Sequence, residues 1–350
     1  MTLERAFGAG LVLVPVALLA HFSNVADVWV FALSALAIIP LAKFLGEATE
    51  ELATHSGPAF GGLLNVTFGN ATELIIGFFA LNAGLIDVVK ASITGSIIGN
   101  LLLVLGMSIF AGGIKHKTQK FNKTAALASA STLLIAVTAL VVPAIFQQTS
   151  HHIRPTTTMH ISELVAILMF MLYFANLFFM FKTHKHLYSE EVGKFDGLWS
   201  VKKAITVLAV TTGLVAWLSE IMVSSIKPAL VSLGWTELFI GAVVIAIIGN
   251  AAEHTSAVVM AMKNRMDLSL QIAIGSATQI ALFVVPILVF AGLIMGQKLN
   301  LVFNPFELIA IILAVLITNL VVSDGESNWL EGAQLLAAYG IIAVAFFFFV

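Results

Sequence analysis

The sequence predicts an all-α polytopic membrane protein with about eleven transmembrane helices, on three observations. Hydrophobic residues make up 59% of the 350 and charged residues only 10%, against roughly 25% charged in soluble domains. Apolar stretches of about twenty residues, long enough to cross a bilayer as helices, recur along the whole length. Third, the chain repeats itself, with the copies starting an odd number of helices apart.

The spans are expected at about 7–22, 26–46, 57–83, 86–113, 122–147, 160–182, 201–225, 234–262, 267–295, 303–322 and 330–350. Arg5 precedes the short first run, Phe7 to Phe22, which reads as an uncleaved span because no small-residue cleavage site follows it. The best-marked start is Asn304-Pro305-Phe306-Glu307, with an N-cap, a proline at the first helical position and a glutamate at the third. Alternating the loops puts thirteen of the seventeen basic residues on one side, among them Arg5, Lys43, Lys115, Lys202, Lys203 and Arg265. Lys90, Arg154, Lys227 and Lys298 fall on the other. The basic side is expected to be cytoplasmic, which places the N-terminus inside, the C-terminus outside and the protein in the plasma (inner) membrane.

Shifting the sequence by 180 lays Gly69-Asn70-Ala71-Thr72-Glu73 on Gly249-Asn250-Ala251-Ala252-Glu253. At the same offset Asp87 meets Asp267, Gly95-Ser96 meets Gly275-Ser276, and Phe110-Ala111-Gly112 meets Phe290-Ala291-Gly292, without a gap. The copies begin five spans apart, so they cross the membrane in opposite senses, the hallmark of secondary transporters with a midplane site at the repeat interface. The organisation expected is a first helix in 1–25, repeat 1 in 26–182, a cytoplasmic linker in 183–200 and repeat 2 in 201–350.

Glu73 and Glu253 lie within otherwise apolar helices, where a carboxylate costs on the order of 3 kcal/mol or more at the bilayer centre and normally faces a cavity or a partner. Asn70 and Asn250 precede them by three residues and share their helix faces. Gly69 and Gly249 allow a kink or a close backbone approach. Two carboxylates, amide oxygens and freed carbonyls form an all-oxygen set suited to a hard cation such as calcium. The same carboxylates can take protons, so one site could hold either occupant, which is what exchange requires. The bland alternative is a pair of glutamates that only hold helices together. Ser96 and Asn100 on the following helix, with Ser276 and Gln279 on its counterpart, are expected either to line the site or to bridge helices around the Gly95-x-x-x-Gly99 packing motif. Asn100 has Ile280 at the equivalent place, so the repeat is asymmetric there.

Acidic residues assigned to the cytoplasmic ends of spans two and seven, Glu47, Glu50 and Glu51 with Glu220, form a third group. Glu50 and Glu220 are candidates for cation entry or proton binding, and His254 for a proton relay or a packed hydrogen-bonding residue. Asp87 and Asp267 read as N-caps. The remaining histidines His116, His151, His152, His160, His184 and His186 fall in loops or at span ends.

The segment from Gly61 through Asn65 and Gly69 to Glu73 closely resembles the first signature of the cation/proton exchanger family, the calcium/proton antiporters of the cation/calcium exchanger superfamily. Gly249-Asn250-Ala251-Ala252-Glu253-His254 resembles the second, and Gly275-Ser276-Ala277-Thr278-Gln279-Ile280 fits the helix that follows. The resemblance covers nearly the whole chain. It implies one extra helix plus two inverted sets of five, a cation site at Glu73 and Glu253, and movement of helices two and seven during alternating access. The strongly acidic segment found in many eukaryotic members is missing: Thr183 to Ser200 has only Glu190, Glu191 and Asp196 among several cations. A compact prokaryotic-type member is implied.

Other classes are excluded or weakened by residues. No cysteine is present, so disulfides and thiolate metal sites are out. No Walker loop appears, which leaves gradient-driven or passive transport. No His-Glu-x-x-His motif or nucleophile–base pair supports an intramembrane enzyme. Sodium/calcium exchange calls for more intramembrane acids, and a channel for a repeated pore loop. The transported ions are expected to be Ca2+ and H+, with no cofactor, no nucleic acid, the lipid bilayer as surroundings, and a homo-oligomer compatible with the sequence.

Overall fold

The computed structural model describes residues 3–23, 25–56, 61, 64, 67–149, 155–184 and 199–349. Most of the expected linker, with Glu190, Glu191 and Asp196, lies outside the described residues, as do Gly62, Leu63, Asn65, Val66, His151, His152 and His186. The fold is helical: α1 Leu3–Gly10, α2 Leu13–Phe22, α3 Asp27–His55, α4 Ala71–Asn82, α5 Ile86–Lys115, α6 Lys123–Thr149, α7 Pro155–Phe178, α8 Val201–Ser224, α9 Ile226–Leu233, α10 Glu237–Gly249, α11 Ala251–Met262, α12 Met266–Met295, α13 Pro305–Val321 and α14 Trp329–Phe348. Among the described residues seven of these are long and apolar enough to cross a membrane, and α9 with α10, bent by 118°, would make an eighth if counted as one span.

The internal repeat is carried by the backbone. α4 and α11 are related by the offset of 180 residues at both ends, and α5 and α12 begin at the same offset. Each of the latter pair contains a π-helical segment, Gly99–Val104 in α5 and Ile280–Val284 in α12. A π segment adds a residue to the turn and re-aims the side chains beside it, which is why such segments cluster at functional sites. The helices ahead of α4 and α11 break at Asn70 (φ −101°, ψ 21°) and Asn250 (φ −93°, ψ 11°), both away from α-helical values.

Small residues let the central helices touch. A Cβ on Gly95 would stand 2.0 Å from the Ala242 carbonyl oxygen, and one on Gly241 2.5 Å from Ala91 Cβ, so α5 and α10 meet backbone to backbone. The repeat-related helices α3 and α8 pack along each other. The α13 start is as the sequence predicts: Asn304 Oδ1 accepts from the Phe306 amide (2.9 Å) and Glu307 Oε2 from the Asn304 amide (2.9 Å). α14 begins with a second capping box at Asn328 and Glu331, which share an Asn-x-x-Glu spacing.

Two sequence expectations are corrected. Asp87 and Asp267 sit in the first turns of α5 and α12, not at the caps, which are Leu85 and Arg265; Asp267 instead accepts the Asn122 amide from a neighbouring loop at 2.6 Å. The first span, Phe7–Phe22, is one apolar helical run whose regular hydrogen bonding is interrupted at Leu11 and Val12, between α1 and α2, where Val12 keeps helical angles (φ −61°, ψ −25°). Glu220 lies near the C-terminal end of α8, the end opposite Lys202 and Lys203, so it cannot share their side of a membrane. A two-residue pairing, β1 Gln119–Lys120 with β2 Glu326–Ser327, was also not anticipated.

Candidate functional site

The two helix breaks place the site. Because Asn70 and Asn250 leave the helical conformation, α4 and α11 start inside the structure, and Glu73 and Glu253 fall in their first turns. A negative charge is favoured there by the positive end of the half-helix dipole. Both carboxylate oxygens of Glu73 and Oε2 of Glu253 are buried, and among the described residues they receive no hydrogen bond from another residue. The two carboxylates lie within electrostatic reach of each other. Glu73 Cγ is 3.1 Å from the position a Cβ would take on Gly249, so the first repeat's carboxylate lies against the second repeat's glycine. It also lines a cavity of about 10 Å3 with Ser96, Gly249 and Ile280, room for about one water or one bare ion.

Around the carboxylates runs a polar network that joins the repeats. Asn250 Nδ2 donates to Ser96 Oγ (2.9 Å) and to the Ala246 carbonyl (2.8 Å). The repeat-related contact links Ser276 Oγ to Asn70 Oδ1 at 3.4 Å. Asn70 Nδ2 donates to Gln279 Oε1 (2.5 Å), and Asn100 Nδ2 to Asn250 Oδ1 (2.8 Å) and Ser276 Oγ (3.1 Å). Asn100 and Gln279 are not repeat-equivalent in sequence, yet each pairs with the asparagine of the opposite repeat. The π segments start at Gly99 in one helix and Ile280 in the other, and this stagger accounts for the exchange of partners. Asn100 Oδ1 remains buried without a partner among the described residues. Gly95 packs against Ala242, while Ser96 and Asn100 bridge helices through these hydrogen bonds, and Ser96 also lines the Glu73 cavity.

The other candidates are more peripheral. Glu50 is exposed near the end of α3, within electrostatic reach of Glu253. Glu47 pairs with Lys43, and Glu51 accepts the Trp199 amide at 3.1 Å. Glu220 is exposed, and His254 is partly buried one position beyond Glu253. Gly69 has no described atom within 4 Å of where a Cβ would stand, unlike Gly249. The sequence reading missed Tyr173, a buried phenol stacked on Phe283 of the α12 π segment with ring centroids 4.9 Å apart.

Apolar membrane-length helices, two repeat-related breaks and a carboxylate in each define a polytopic membrane protein of the ion-exchanger type. The family model for the sodium/calcium exchanger protein matches residues 26–182 and 203–348, and the chain belongs to that family. It is 49% identical over 359 residues to the Ca(2+)/H(+) antiporter of Aphanothece halophytica, covering 97% of this chain and 95% of that one. It is 44% identical to the Ca(2+)/H(+) antiporter ChaA of Bacillus subtilis, covering 95% and 96%. Among solved structures, native YfkE superposes with a TM-score of 0.86 at 41% identity, over 97% of this chain and 99% of that chain.

Proposed function

We propose that the chain is a Ca2+/H+ antiporter that exports Ca2+ from the cytoplasm on the inward proton gradient, by alternating access at a midplane site shared by Glu73 and Glu253. The observation that carries this reading is the pair of repeat-related carboxylates, with buried oxygens that no described neighbour satisfies. A buried, unsatisfied carboxylate is costly, and a divalent cation or protons relieve that cost in turn. Its relatives named as Ca(2+)/H(+) antiporters, matched over nearly their whole length, support the same pair of ions.

In this reading α1 and α2 form the extra first span, α4 belongs to span three, and α10 with α11 form span eight, giving eleven. Two inverted repeats, 26–182 and 201–350, then face each other around the site. The N-terminus is cytoplasmic and the C-terminus external, in the plasma membrane. Ca2+ is held by Glu73 and Glu253, with Asn70, Asn100, Asn250 and Gln279 supplying or orienting amide oxygens. α3 and α8 slide against this core, which puts Glu50 at the cytoplasmic mouth and Glu220 at the external one. The test is calcium flux in everted vesicles with proton and sodium gradients imposed separately. Uptake driven by protons and indifferent to sodium is expected; uptake driven by sodium alone overturns the assignment.

A further inference from the structure

A second polar region lies away from the carboxylate pair, at the opposite end of α5 from the cytoplasmic loop. A cavity of about 300 Å3 is lined there by Asp87 and Lys90 of α5, Val302 and Asn304 ahead of α13, and Glu307. Lys90 Nζ donates to Asn300 Oδ1 and to the Val302 carbonyl, each at 2.7 Å. Asp87 and Glu307 are both within electrostatic reach of the ammonium, but neither is an ion pair with it among the described residues. Glu307 is itself buried and accepts from Thr94 Oγ1 at 3.0 Å. Two neutral oxygens contact the ammonium, and two carboxylates stand farther off within its electrostatic reach; oxygen groups of this kind suit hard cations, and here the cation is a lysine ammonium.

The repeat shows that this arrangement belongs to one face only. At the 180-residue offset Lys90, Thr94 and Glu307 correspond to Leu270, Ile274 and Leu127, and only Asp87 keeps its counterpart, Asp267. On that other face Asp267 is closed off by the Asn122 amide at 2.6 Å, and Gln119 Nε2 ties the loop to the Ala261 carbonyl at 2.8 Å. The ammonium and its Thr94–Glu307 partners therefore have no counterpart at the 180-residue offset.

We infer that Lys90 is a tethered cation: its ammonium fills an oxygen-lined position in this cavity and so keeps the cavity from retaining a divalent cation. The placement of the cavity on the external face rests on the orientation proposed above; the binding chemistry does not. In an exporter, the external mouth meets each released Ca2+, and a carboxylate pair left open there would hold it.

The test is Ca2+ binding to purified protein carrying Glu253→Gln, with and without Lys90→Met. The added Lys90→Met is expected to give about one extra equivalent of Ca2+ bound, with a Kd of about 0.1–1 mM, the range of weak extracellular calcium modules. Glu307→Gln is expected to remove that gain, and Lys90→Arg to give none. Lys90→Gln, which keeps a donor for Asn300 and Val302, reports if the methionine variant does not fold. Folded Lys90→Met or Lys90→Gln protein that binds no more Ca2+ than its parent overturns the inference. Undiminished binding by Glu253→Gln alone would instead count against the transport site, so the two failures are distinguishable.

Discussion

Gly249→Ala separates the ion site from the fold. An added Cβ would stand 3.1 Å from Glu73 Cγ and 3.6 Å from Cδ, where carbon atoms prefer about 3.5–4.0 Å. Relief requires Glu73 to retreat by about 0.5 Å, beyond the ±0.2 Å or so that metal–ligand distances tolerate. A misplacement of about 1 Å costs on the order of 100-fold in positioned chemistry, so half of that is about ten-fold, or about 1.4 kcal/mol. Helix propensity acts the other way: alanine is favoured over glycine within a helix by about 0.5–1 kcal/mol. The variant is thus expected to melt no lower than the parent while its apparent Ca2+ affinity falls about ten-fold. Gly69→Ala is the matched control, since no described atom lies within 4 Å of its Cβ position; its affinity should stay near that of the parent. Calcium uptake by everted vesicles, read beside thermal melting in detergent, decides the matter. Equal effects at the two glycines, or a Gly249→Ala protein with unchanged affinity, would refute the cross-repeat contact as a determinant of the site.

Glu73→Gln and Glu253→Gln are each expected to abolish exchange in vesicles while leaving the protein inserted and folded, because the amide keeps the shape and removes the charge; substantial flux from either moves the site elsewhere. Asn250→Ala removes the acceptor of Asn100 and the donor to Ser96, and stranding such buried groups costs about 1–3 kcal/mol each, so a lowered melting temperature should accompany lost transport. Reporters that work on only one side of the membrane, fused to each end, should place the N-terminus inside and the C-terminus outside; both ends on one side would break the eleven-span count. If only Glu73 and Glu253 exchange protons for Ca2+, transport should be insensitive to membrane voltage; sensitivity that Glu50→Gln removes would make Glu50 a third participant.

What the sequence made legible was what repeats or what is costly. Glu73 and Glu253 stood out because charge is rare in apolar helices, and the offset of 180 tied them together before any geometry was known. The α13 cap was readable because an asparagine, a proline and a glutamate each have a local reason to be there. Long-range consequences were not readable. The pairing of Asn100 with Asn250 and of Asn70 with Gln279 depends on staggered π segments, which leave no periodic trace in an apolar run. Asp267 looked like a cap because a first-turn aspartate and a cap differ by a residue or two, and its partner, the Asn122 amide, is 145 positions away. Lys90 shows in the sequence only as one of four basic residues on the sparse side; its oxygen partners are more than two hundred residues distant. Glu220 is not placed by composition, because helix direction decides which end of a span a residue occupies.

The central claim is that calcium and protons compete for one site. Two ligands that exclude each other must each lower the other's affinity by the same factor. Ca2+ needs Glu73 and Glu253 ionised and protons neutralise them, so Ca2+ affinity must fall as pH falls. The direct measurement is Ca2+ binding to purified protein in weakly buffered solution, with the released protons counted, at mildly acidic and alkaline pH. The account predicts weaker binding at the acidic pH, accompanied there by release of up to about two protons per Ca2+ bound, with both effects lost in Glu73→Gln and Glu253→Gln. Ca2+ binding of equal strength at both pH values, with no protons released, would contradict it.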